Sequence, residues 1–304
     1  MGRTLLILLS GFAMSFGVLS LSKNQRLVDS TSRVVDSFTR YSSKNAATSG
    51  AYMALNRLYL DSSWRDGYSN LMLAGNEVNV QIEDASDDAS IGDYRVRIRA
   101  TGANGDTAST TEVVAFDRRF DNFAVWSKDT VISTVTKDSL GNVNSNLTMQ
   151  KAPFMPKINK TGLMNAAAAQ FHVYNEDEES HFHPGDTFPN GSFYYLFNVP
   201  NVIRVVGDLH VRDARTIHGI YIVEGDVLLN ENATVNGVLY LPNATSRIYN
   251  REAAASQVTG GIVTWGEVDG VGYPINVQHK PEYWRAFIKN YAPDNAPIRV
   301  ISWK

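Results

Sequence analysis

Hydrophobic and polar positions change their period along the chain, and each change marks a different kind of element. From Thr4 to Leu21 (TLLILLSGFAMSFGVLSL) the residues are uncharged and mostly apolar. From Lys23 the apolar positions thin to Leu27, Val28, Val34, Val35, Phe38 and Tyr41, mostly three or four apart, the stripe of an amphipathic helix. No proline interrupts these segments, so the pattern predicts one helix over 1–60, stopped by Asp61-Ser62-Ser63 and Gly67. The period then falls to two. Glu77–Glu83 and Asp93–Arg99 alternate, and Thr110–Phe116 reads as a third strand. One apolar face per strand predicts an antiparallel meander over 61–117, packed on the helix.

The remainder, 118–304, is β-rich and carries a repeat. Val206-Gly207-Asp208-Leu209-His210-Val211 matches Glu224-Gly225-Asp226-Val227-Leu228-Leu229 at an offset of 18 residues. The same offset carries Ile217–Ile222 onto Val235–Tyr240, so the repeat spans 199–241. Short strands with glycine corners at one period predict stacked coils of a β-solenoid. A looser third coil follows at Val258–Val268, displaced by a six-residue insertion, and an antiparallel sandwich is the competing arrangement. Between 118 and 195, Phe123–Trp126 and Val131–Ser133 read as short strands and Asn165–Phe171 as a helical turn. The expected class is therefore α+β: a long, partly hydrophobic N-terminal helix on an antiparallel meander, then a β-rich domain that forms a short solenoid.

The apolar run is long enough, at roughly 27 Å, to just cross the hydrocarbon of a bilayer. Its three Ser, one Thr and two Gly also suit a helix that packs on other helices. A cleaved secretory signal would share the basic start at Arg3, but helical periodicity continues past the run and favours a retained helix.

Composition narrows the chemistry. The chain has 304 residues, 19% of them charged, a net charge of −3 and no cysteine. Thiol catalysis, disulfides and zinc–thiolate sites are excluded, and the mixed charge points away from nucleic acid as a partner. The densest polar cluster is Glu176 to Asp186, where Glu178, His181, His183 and Asp186 form a candidate metal set against the simpler reading of a solvated acidic loop. Asp84, Asp87 and Asp88 are candidate calcium ligands without the glycine and distal glutamate of an EF-hand. Asp208 and Asp226 recur at the repeat period, which fits corner hydrogen bonds better than a pair of glycosidase acids. Phe193-Tyr194-Tyr195 and Tyr283-Trp284 suit either sugar stacking or packing. Nucleotide, hydrolase and metalloprotease motifs do not occur, and no enzymatic activity is expected.

The apolar run followed by a continuous amphipathic helix resembles the stem of type IV pilins and pseudopilins. Lys44–Leu55 (KNAATSGAYMAL) is similar to the small-residue segment of large minor pilins, and Tyr94–Gly102 to the first strands of their heads. The C-terminal Ile301–Lys304 is similar, more weakly, to domains appended to such proteins. Leu5 stands where these pilins usually carry a glutamate, a departure tolerated in certain minor, tip-located pseudopilins. The start Met1-Gly2-Arg3 is shorter than the basic leader removed from prepilins; if the sequence is already the mature one, Met1 is the first residue after cleavage. The resemblance implies an assembly helix using Leu5, Leu6, Leu8, Leu9, Phe12, Phe16, Val18 and Leu21. It implies storage in the inner membrane, then polymerisation with further copies or other pilin subunits into an extracellular filament. The β-rich head would be displayed and adhesive, with a surface glycan as candidate ligand. The alternative is a tethered or secreted solenoid adhesin that does not polymerise.

Overall fold

A computed structural model describes the backbone of residues 2–175, 181–182, 191–211, 214–251 and 254–304, with side chains for all of these except 2–8, 175 and 181–182. The chain forms two compact units, Met1–Asp117 with Pro297–Lys304, and Arg118–Ala296. The last residues, Pro297–Lys304, belong to the first unit, whereas the sequence reading assigned them to 118–304.

In the first unit, helix α1 runs from Gly2 to Leu60. Its C-terminal turns lie on a five-stranded antiparallel sheet made of β1 (Tyr68–Leu73), β2 (Asn76–Asp84), β3 (Arg95–Asn104), β4 (Thr107–Phe116) and the C-terminal strand Arg299–Trp303, in that order. Three of these strands are the predicted ones. β1, with its irregular alternation, and the C-terminal strand were not.

Small residues set the helix–sheet distance. Ala46, Ala47, Ala51, Ala54 and Leu58 are buried at helical spacing against Val78, Val80, Val96, Ile98, Ala100 and Val113. Gly102 lies so close to α1 that a Cβ there would collide with the Ser43 carbonyl, and a Cβ at Gly50 would meet Val78 Cγ1. The last strand is tied on by reciprocal backbone bonds between Glu112 and Lys304, while Trp303 packs on Tyr52 of α1 with centroids 4.7 Å apart and the rings tilted by 39°.

The second unit is a parallel β-solenoid of about six turns. Each coil contributes three sides. In one coil these are Val202–Val206, Leu209–Val211 and residues 216–219; in the next, 220–223, Val227–Leu229 and 234–237. The 18-residue register pairs Leu209 with Val227 and Thr216 with Thr234. The next step pairs Thr234 with Gln257, so the insertion is five residues where the sequence reading placed six. The antiparallel sandwich is thereby excluded, since these pairings are parallel. Ile203, Leu209, Ile217, Tyr221, Val235, Leu239, Val258 and their neighbours fill the interior.

Coil order departs from chain order at one end. Val125–Ser127, Val131–Ile132 and Thr134–Lys137 form an opening coil that pairs with the closing coil, Val125 beside Ile262, Val131 beside Val268 and Thr134 beside Ile275. Helices α2 (Lys160–Ala169) and α3 (Pro281–Tyr291) pack on the side that contains 202–206, 220–223 and 238–241. On that side 220–223 and 238–241 are buried on both faces and read as unbroken apolar runs, while Arg204 interrupts 202–206 and pairs with Glu224. Trp284 of α3 sits on Gly261, where a Cβ would strike its indole.

Candidate functional site

The face that the sequence marks for assembly starts in α1. Leu9, Phe12 and Phe16 are 66%, 68% and 69% exposed, and Val18 and Leu21 are similarly open. The side chains of Leu5, Leu6 and Leu8 lie outside the described residues. Exposure does not stop at the apolar run: Leu27, Val28, Val34, Val35, Phe38 and Tyr41 also face solvent, and α1 first becomes buried at Ser43. Among the described residues, the helix from Leu9 to Tyr41 therefore has no packing partner. Among the described residues no helix is long and apolar enough to cross a membrane, a statement that does not extend to the side chains of 2–8.

The metal candidates fall almost entirely outside the described residues. Glu178, His183 and Asp186 lie outside the described residues, and His181 is placed only by its backbone, paired in parallel with His210. Among the described residues no group of three or more His, Asp or Glu could hold a metal ion. The Asp84–Asp88 loop is occupied by the protein itself. Asp84 accepts hydrogen bonds from Ser86 and, at 2.8 Å, from Arg65 Nε; Asp88 accepts from Ser90 and, at 2.8 Å, from Arg97. Serine hydrogen bonds first, then the guanidinium, push both carboxyls down to about 2. Calcium there would have to displace two arginines, so the calcium reading of this loop is not supported.

Asp208 and Asp226 serve the corners. The Asp208 carboxylate accepts the Asp226 N–H at 2.7 Å, and that of Asp226 accepts the Arg247 N–H at 2.8 Å. Each aspartate thus satisfies a backbone donor one coil further along the stack, leaving no paired acids aimed at a substrate. The aromatic candidates are mostly packing: Phe193 stacks on Tyr283 at 4.1 Å and is buried, as is Trp284.

A feature the sequence reading passed over lies on the third side. Outward positions there form two columns, Thr216, Thr234, Gln257, Asn276 and His218, Asn236, Thr259, Gln278, in register across four coils. Between them Ile217, Val235, Val258 and Val277 point inward. The signal is present at the 18-residue offset, where Thr216 falls on Thr234 and His218 on Asn236, beside the stronger recurrence of glycines and apolar residues.

No family model, curated protein or solved structure matches the chain.

Proposed function

We propose that this protein is a non-catalytic structural subunit of an extracellular bacterial pilus-like filament, polymerising through α1 with other copies or related subunits while the β-rich units are displayed. In this reading the inner membrane holds the helix before assembly. One observation carries it: α1 keeps large apolar side chains from Leu9 to Tyr41 in solvent, with no described element of the same chain over them. Large apolar side chains exposed along that length mark a site for another surface. Burying a Leu or Phe side chain stabilises by about 1.5–3 kcal/mol, so a few such contacts per subunit suffice for assembly. A heterologous contact between identical chains extends into an open helix unless its rotation closes.

The test is electron microscopy and surface display of the full chain. Filaments should form with the native sequence and be lost in Leu9→Glu/Phe12→Glu, with the solenoid's circular dichroism retained. A native chain that stays monomeric after detergent removal, or a double variant that still assembles, overturns the reading.

A further inference from the structure

The third side of the solenoid presents an exposed surface with unusual chemistry. Its eight outward positions in four successive coils are Thr, Gln, Asn and one His, with no Asp, Glu, Lys or Arg. Among the described residues that continue these columns, the opening coil brings charge with Lys137, beside Gln278. The first side is covered by α2 and α3, and the second carries Arg247, Glu267 and Asp269. The third is polar, uncharged and open, with Thr216 and Gln257 exposed and the others half-buried as members of a sheet.

Its spacing is set by the backbone. Parallel strands lie roughly 4.8 Å apart, and alternate residues on one strand about 6.6 Å apart, so the two columns form a lattice. Much of its hydrogen-bonding capacity is unspent. The side chains of Thr216, Asn236 and Asn276 bond to no other described residue, whereas Gln257 donates to Thr259 at 3.0 Å and Gln278 to the Ser139 carbonyl at 3.2 Å. Burial lowers the pKa of His218, which keeps it neutral at neutral pH.

We infer that this face binds an extended, neutral polysaccharide, with the Thr, Asn and Gln columns hydrogen-bonding successive sugar hydroxyls. The uncharged lattice gives an anionic or cationic polymer no counter-charge. A purely apolar partner would strand the amides without bonds, a cost of about 1–3 kcal/mol each. An added peptide strand needs a sheet edge, and this is a sheet face. Sugar hydroxyls both donate and accept, as amides and threonine hydroxyls do, and a polymer repeats them as the coils repeat their partners. This inference is independent of whether α1 polymerises.

Retention of the full chain, in mild detergent, would be measured on microcrystalline cellulose and in native gels cast with amylose or a linear β-glucan, against polygalacturonate. Retention by at least one neutral glycan is expected. Gln257→Glu/Gln278→Glu, which keeps side-chain shape and adds charge, should weaken it about tenfold or more, corresponding to about 1.4 kcal/mol. Asp269→Asn on the second side should leave it unchanged. Absence of binding to every neutral glycan, retention by polygalacturonate alone, or undiminished binding by the double variant overturns the inference.

Discussion

Single residues in this protein are decided by what the neighbouring coil or helix leaves free. Gly219, Gly237 and Gly260 stack in register, and a Cβ on Gly237 would drive into the Gly219 carbonyl. Gly237→Ala should therefore cost about 3 kcal/mol or more, as overpacking against backbone that cannot rotate away, and chemical denaturation would measure it. Asp226→Ala removes the acceptor of the Arg247 N–H and should cost about 1–2 kcal/mol. Two carboxylates of the first unit, Asp84 and Asp88, contribute acid sensitivity. Asp84 and Asp88 have folded pKa values near 2, below the unfolded value of 3.8, so the unfolded chain takes up protons first. Their contribution is complete above about pH 4 and is lost as pH falls through 2. Arg97→Met should raise the midpoint of an acid titration followed by circular dichroism, since Asp88 loses its partner. The recurrence of Asp208 and Asp226 at the repeat period was enough to identify them as corner acceptors. The arginines that occupy Asp84 and Asp88 were not legible, because their contacts depend on which strands become neighbours.

At the scale of elements, periodicity told the truth wherever one face meets water. α1, β2, β3 and β4 each alternate or stripe, and each was visible in the sequence. α3 was not, although Trp284, Phe287 and Tyr291 make a buried face at helical spacing. Those three residues follow a run of solenoid strands, and the pair Tyr283-Trp284 suits sugar stacking as well as it suits a helix. Trp284→Ala should cost about 3–5 kcal/mol, read by denaturation, because it uncovers Gly261 and leaves a void over the first side. The C-terminal strand escaped for a different reason: its partner, β4, lies far back in the sequence. A five-residue segment at a chain end carries no signal of that distance.

The whole molecule shows why coil number was the least legible quantity. The 18-residue repeat exposes two clear coils and a looser third, but the stack has about six turns. The remaining coils have lost the repeat or, in the opening coil, sit beside a segment well over a hundred residues later. Such pairings raise contact order, so refolding of the solenoid should be slow, on the milliseconds-to-seconds scale or longer. Removing 118–137 should bare the edge of the closing coil and promote aggregation measurable by light scattering.

The return of the chain to its first sheet has a mechanical meaning. Phe116, the last residue of β4, is paired with Arg299, so everything from 118 to 296 is the loop of a hairpin. Pulling on α1 and its sheet need not pass through the coils at all. The solenoid can lengthen, shorten or change its surface while the strands that flank it keep their hydrogen bonds. Joining Asp117 to Pro297 through a short turn should accordingly yield a helix-and-sheet protein that still melts cooperatively, a subunit from which the cargo has been unloaded.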